Sequence, residues 1–206
     1  MKKLESKYSI ADVKILQREI CFNSFLRVDK LQIKHKLFDG GWSESIQREL
    51  SIRTAAVGVL LFDPGRDEVV MVRQFRIGAI NENISPWLLE LVAGIVDKDE
   101  SLESVAIRET KEESNCNIIE LVRICDYYNS PGVSDEKVTL FCGKIEADNA
   151  GGVFGLAEEH EDIEVVCLSS GEAIAAIETG QINNAMSIIA LQWLALNKDK
   201  LVQAWL

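Results

Sequence analysis

Histidine occurs only twice, at His35 and His160. The five cysteines (Cys21, Cys116, Cys125, Cys142, Cys167) are odd in number, scattered, and include no CxxC pair. These shortages weigh against a zinc centre and more heavily against a disulfide framework, and predict reduced, mostly buried thiols in a cytoplasmic protein. Long apolar runs are missing too. The longest, Ala55 to Phe62, is far short of the roughly 18 residues of a membrane span. The opening MKKLESKYSI has basic residues with no apolar stretch behind it, so no secretory leader is expected. Neither repeats nor low-complexity segments occur. Positive charge is scarce: 22 Lys and Arg face 33 Asp and Glu, a net charge of −11 over 206 residues. Without a basic footprint, nucleic-acid or anionic-membrane binding is not expected as the main task. An anionic substrate would have to be met by cations.

What is present is ordinary for a folded domain, with 47% hydrophobic and 27% charged residues. The length allows one domain, or one plus a small appendage. The charge is unevenly spread. Residues 1–76 hold 14 basic and 10 acidic residues, whereas residues 97–120 hold eight acids against three bases and residues 158–164 hold five acids without Lys or Arg. Two short segments therefore carry −10 of the −11, and such concentration asks for a cation.

The first 50 residues read as β-rich. Short strands are predicted at Val13–Leu16, Phe25–Val28 and Leu31–Lys34, with a hairpin turn at Asp39-Gly40-Gly41. So small a segment buries too little to fold alone and must pack on the rest or on a partner chain. We divide the chain at residues 1–50 and 51–206. In the second part Ala55–Phe62 reads as a buried strand, followed after the turn Asp63–Asp67 by its hairpin partner Val69–Arg76. Further strands are predicted at Trp87–Val92 and near 121–127, 137–145 and 163–168, and helices at 101–114, 171–179 and 186–206. The expected class is a mixed α+β domain with a β-rich N-terminal extension.

The helix at 101–114 is the most informative element. At 100° per residue, Leu102, Val105, Ala106, Glu109, Glu112, Glu113 and Cys116 share one face. Three glutamates thus continue a stripe that begins apolar. They do so near the helix C-terminus, where the macrodipole disfavours negative charge. A solvated acidic face is the alternative reading. A hard divalent cation relieves both penalties, and oxygen-only ligands suit Mg²⁺ or Mn²⁺.

With Gly94 and Glu100 the pattern becomes specific. Gly94, five residues, Glu100, seven residues, then Arg108-Glu109-Thr110-Lys111-Glu112-Glu113-Ser114-Asn115-Cys116 resembles the Nudix box, G-x5-E-x7-R-E-U-x-E-E-x-G-U. Thr110 stands where an aliphatic residue is usual, and Asn115 replaces the last glycine, asparagine being the next-best residue for a left-handed position. The likeness continues through Trp87-Leu88-Leu89-Glu90, Ser130-Pro131-Gly132, the stretch from Gly155 to Ile163, and Asn184-Ala185. Pro131 lies 15 residues beyond the box end at Cys116, the spacing of the ADP-ribose subgroup of Nudix hydrolases.

The resemblance implies a mixed β-sheet sandwiched between helices, and Mg²⁺-dependent hydrolysis of ADP-ribose to AMP and ribose 5-phosphate. Glu109, Glu113, Glu161 and the Ala93 carbonyl would hold metal, Glu112 would be a further or water-mediated ligand, and Arg108 would brace the helix with Glu100. Glu159, on a Gly-rich loop, would be the general base. Arg76 would contact phosphate, with Arg53 a second candidate. Phe25, Leu26, Arg48 and Glu49 would hold the adenosine end, Arg48 and Glu49 coming from the partner subunit, with Trp42 an additional stacking candidate. Ile95, Ser130, Pro131, Gly132 and Glu136 would serve ribose and loop positions. The β-rich N-terminus would make a domain-swapped homodimer with active sites shared between chains. The competing expectations are a hydrolase of another nucleoside diphosphate sugar, such as GDP-mannose, and a non-catalytic module that binds ADP-ribose.

Overall fold

The computed structural model describes residues 4–80, 85–97 and 99–206; Lys2, Lys3, Glu82 and Lys98, counted in the charges above, lie outside the described residues. The chain divides into two compact units, one comprising the chain up to Arg53 with Tyr128–Glu136, the other Thr54–Tyr127 with Lys137–Leu206.

In the first unit, β1 (Val13–Asn23), β2 (Arg27–His35) and β3 (Ile46–Ile52) form an antiparallel sheet in that order. β1 runs well past the four residues expected. The predicted strand at Phe25–Val28 instead begins at Arg27, because Ser24–Leu26 turn the chain, with the Ser24 N–H donating to the Leu26 carbonyl at 2.9 Å. Asparagine and serine at 23 and 24 are turn formers, and they outweigh the β-propensity of Phe25. Gly40 and Gly41 adopt φ of 98° and 73°, the left-handed values the predicted turn needs. β3 was not anticipated, since Ile46–Ile52 alternates weakly and is largely polar.

Polar contacts do much of the holding here. Asp29 is fully buried and accepts from Arg27 Nε at 2.8 Å and Nη2 at 2.9 Å, and from Arg18 on β1. The hydrogen bond from Arg27 brings the Asp29 carboxyl down to about 2. Among the described residues, Leu31 is the single buried hydrophobic of this unit. The 128–136 segment is sewn to β3, Ser51 donating to the Val133 carbonyl at 2.8 Å and accepting from the Asp135 N–H at 3.3 Å.

The second unit is an eight-stranded mixed sheet between helices. Its strands are β4 (Ala56–Asp63), β5 (Glu68–Phe75), β6 (Trp87–Glu90), β7 (Val92–Ile95), β8 (Glu120–Tyr128), β9 (Lys137–Lys144), β10 (Gly152–Phe154) and β11 (Ile163–Ser169). Six run in the order β10-β11-β5-β4-β9-β8, while β6 pairs with β5 and β7 with β4; the β4–β9 pair is parallel and β4–β5 antiparallel. The helices are α1 (Leu102–Ser114), α2 (Ser170–Glu178) and α3 (Ala185–Trp205). β4 explains why Ala55–Phe62 reads as continuous rather than alternating: both its faces are covered. Val57, Val59 and Leu61 join Val105 and Ala106 of α1, whereas Leu60 and Phe62 join Ala173 of α2 and Leu191 and Leu194 of α3.

Trp87–Val92, expected as one strand, breaks at Leu91 so that β6 can pair with β5 and β7 with β4. The predicted short helix and long C-terminal helix are α2 and α3. No helix among the described residues is long and apolar enough to cross a membrane.

Candidate active site

Helix α1 begins where Ser101 Oγ accepts the Ser104 N–H at 3.1 Å, a normal N-cap. Val105 and Ala106 seat its first turns on the sheet with no exposure. The same stripe then delivers Glu109 and Glu113 to β7, at Gly94 and Ala93, while Glu112 meets Arg108. Gly94 of β7 makes the approach possible, for a Cβ there would overlap Cγ, Cδ and Oε1 of Glu109.

Glu113 is 2% exposed and accepts from the Ala93 N–H at 3.1 Å. Burial raises its carboxyl to about 8, aided by repulsion from Glu109 and Glu161 and opposed by the Ala93 bond. Glu109, less deeply placed, is raised by desolvation to about 7, with Arg108 pulling the other way. Arg108 grips Glu100 bidentately, Nε to Oε1 at 3.1 Å and Nη2 to Oε2 at 3.0 Å, and Nη1 reaches Glu109 at 2.9 Å and Glu112 at 3.0 Å. Those contacts raise the guanidinium and lower Glu100. Arg108 thereby ties the box loop to the helix.

The second acidic segment lies on the same face. The turn Ala157–Glu159 follows Gly155, whose φ is 103° and whose missing Cβ leaves room for Glu161. Glu161 Oε2 accepts from the Leu156 N–H at 3.0 Å, and its charge acts on both Glu109 and Glu113. Glu159 is exposed on this turn. Two segments 40 to 60 residues apart in sequence thus put Glu109, Glu113 and Glu161 in one electrostatic neighbourhood. Among the described residues their oxygens do not converge as one chelate. Each is drawn to a protein donor: Arg108, Ala93 N–H or Leu156 N–H. The donor set nevertheless fits a hard divalent cation, since it is oxygen-only and two of its carboxylates are held at unfavourable cost as anions.

Arg76 Nε donates to Glu90 Oε2 at 2.6 Å, and its charge reaches Glu113. Glu90 is a residue whose role sequence reasoning missed, although the β5–β6 pairing of Val72 with Glu90 is what brings it to Arg76. Ile95 ends β7 with its side chain about half exposed.

The remaining residues named from sequence belong to the first unit. Arg53 lies 5.8 Å over the Phe25 ring, 3.6 Å from Glu136, and its N–H donates to Asp135 at 2.7 Å. This brings Phe25, Arg53 and Glu136 into one cluster, beside the turn that contains Ser130, Pro131 and Gly132. Phe25 is 86% exposed, a ring offered to solvent rather than to a core. Leu26 is exposed on the same turn, and Arg48 and Glu49 are exposed on β3. Trp42 is instead covered by Lys14 and Lys36, at 4.3 and 4.7 Å from its ring.

The Nudix domain family model matches residues 52–185. The chain belongs to the Nudix family. This Nudix protein is 41% identical to the ADP-ribose pyrophosphatase of Haemophilus influenzae, over 96% of this chain and 93% of that one. It is equally 41% identical to the ADP-ribose pyrophosphatase of Escherichia coli strain K12, over 94% and 93%. A GDP-mannose pyrophosphatase of Citrobacter koseri is 34% identical over 72% of this chain and 77% of its own. A crystal structure of an ADP compounds hydrolase superposes with a TM-score of 0.72 at 19% identity, covering 94% of this chain and 98% of that one, which shows the shared fold. The Nudix protein is a hydrolase of the pyrophosphatase type.

Proposed function

We propose that this Nudix hydrolase splits the diphosphate of ADP-ribose with water, giving AMP and ribose 5-phosphate. The observation that carries the reading is near-full-length identity of 41% to two ADP-ribose pyrophosphatases, joined to a chain that retains every box and loop glutamate. Glu109, Glu113, Glu161 and the Ala93 carbonyl would hold the cation, Mg²⁺ or Mn²⁺, with Glu112 as a further or water-mediated ligand. A bound divalent cation supplies charge neutralisation of the diphosphate and a more acidic water.

The chain's own residues do the rest. Glu159, exposed on its turn beside Glu161, takes the proton of the attacking water. Arg76, steadied by Glu90, faces the phosphates, and Arg108 keeps Glu109 and Glu112 in place on α1. Phe25 offers its ring to adenine, with Leu26, Arg48 and Glu49 around the adenosine end, and Arg53, placed over the Phe25 ring, is the second candidate for a phosphate contact. Ile95, Ser130, Pro131, Gly132 and Glu136 serve the ribose positions.

We further propose a homodimer in which residues 1–50 of one copy, domain-swapped, serve the site of the other. The support is the nearly coreless first unit and the exposed β1, an edge strand among the described residues that bears Val13, Ile15, Ile20 and Phe22. The free cysteines fit a reducing cytoplasm. Hydrolysis of GDP-mannose is the second reading, favoured by the 34% identity to a GDP-mannose pyrophosphatase. Product analysis decides. AMP release from ADP-ribose that stops with chelator and returns with Mg²⁺ supports the proposal. Preferential release of GMP from GDP-mannose selects the second reading, and binding of ADP-ribose without AMP release would mean a non-catalytic module.

A further inference from the structure

Two positions of the box depart from the family pattern, Thr110 and Asn115, and Ser114 lies between them, bonded to the backbone of Thr110 on one side and of Cys116 on the other. Thr110, fully buried, turns its hydroxyl back to the Ala106 carbonyl at 2.7 Å. Ser114, 3% exposed, donates to the Thr110 carbonyl at 2.6 Å and accepts the Cys116 N–H at 3.3 Å. Asn115 stands in the left-handed conformation at φ 55°, its N–H donating to the Lys111 carbonyl at 3.1 Å. That single bond is the simpler of the two usual helix endings, in which the next N–H, here that of Cys116, finds no helix carbonyl. The Ser114 hydroxyl accepts it instead.

A serine hydroxyl bonded back to the turn before it is common and often only satisfies itself. Here the same oxygen also holds Cys116, the residue that follows the left-handed Asn115, just past the step where the box lacks its glycine. Cys116 in turn is buried in the core beneath α1. We infer that Ser114 is a positioning residue: its hydroxyl locks the end of α1 in place of the missing glycine and so holds the neighbouring Glu113 against the Ala93 N–H. Ser114 acts through Glu113, which the last turn of α1 aims. Loosening that turn moves the one carboxylate of the site that is almost wholly buried.

The inference rests on reading Glu113 as a cation ligand, and one experiment separates the two. Mg²⁺ affinity is measured by calorimetry on the full-length wild type, S114A, N115G and S114A/N115G, with kcat and KM for ADP-ribose at saturating Mg²⁺ and circular dichroism as a check on folding. Removing a side chain that orients a ligand typically weakens metal binding by about 10- to 100-fold, so S114A is expected to fall at the low end of that range. Its kcat returns toward wild type as Mg²⁺ saturates and its KM is unchanged, a split that general destabilisation does not produce. N115G alone changes little, and S114A/N115G regains the affinity because glycine closes the helix unaided.

S114A binding within about twofold of wild type, or a double variant that stays weak, overturns the inference. If S114A does not fold, the double variant decides: folded and tight-binding supports it, unfolded or weak overturns it. A wild type that takes up no Mg²⁺ removes the cation reading itself.

Discussion

Glu113 accepts a hydrogen bond from the Ala93 N–H at 3.1 Å while remaining 2% exposed, so a carboxylate is buried against the strand whose next residue is Gly94. One backbone donor does not offset the desolvation of an anion, and the carboxyl is pushed up to about 8. A group raised in the folded state above its ordinary 4.5 contributes stability that is complete below that value and is lost as pH climbs through the folded pKa. Glu109, raised to about 7, acts in the same direction. Chelator-treated protein should therefore lose thermal stability between about pH 5 and 8, and E113Q should flatten that decline and abolish Mg²⁺-dependent turnover. Melting curves across this range, with and without Mg²⁺, check it. Parallel slopes for wild type and E113Q would contradict the buried anion.

The exposed Glu159 is expected to work on the water and not on substrate affinity. E159Q should lower kcat by about 10²- to 10⁴-fold, with the apparent affinity for ADP-ribose nearly unchanged and the fold intact. Single-turnover kinetics and a separate binding titration distinguish the two parameters. A pure affinity loss would assign Glu159 to the substrate instead of the proton.

Gly94→Ala tests the approach of β7 to Glu109. The added methyl must displace the Glu109 side chain, since its carboxyl and Cγ occupy that place. Overpacking of this kind costs about 1–3 kcal/mol, and Mg²⁺ affinity should fall with it. Unchanged cation binding and an unchanged melting temperature would show that Glu109 has a free alternative position.

Phe25→Ala should leave stability alone, because the ring is 86% exposed. Losing one base-stacking ring weakens binding by about 1–3 kcal/mol, so KM for ADP-ribose should rise roughly 5- to 150-fold with kcat much less affected. The same variant assayed on a pyrophosphate substrate without adenine should show no such loss. Equal effects on both substrates would remove Phe25 from the adenine site.

The carboxylate helix was readable in the sequence because it is local. Glu109, Glu112 and Glu113 sit at helical spacing on a stripe that begins apolar, and Gly94, Glu100 and Arg108 stand at fixed distances from them, so 23 consecutive residues announce the carboxylate helix. Strands with turn formers at their ends were legible for the same reason. What failed were elements defined by their neighbours. β3 is polar and exists through its pairing with β2, and Trp87–Val92 splits because its two halves pair with different strands.

Only the tertiary structure decided three further matters. It turned the 155–163 loop so that Glu161 acts on Glu109 and Glu113, paired Arg76 with Glu90, and gathered Arg53, Phe25 and Glu136 across more than 100 residues of chain. Spacing along a chain fixes which residues share a helix face; it does not fix which strand a distant loop will meet, or how much water that meeting removes. The proton affinities of the glutamates follow from that lost water, so their charges were visible in the sequence while their energies were not.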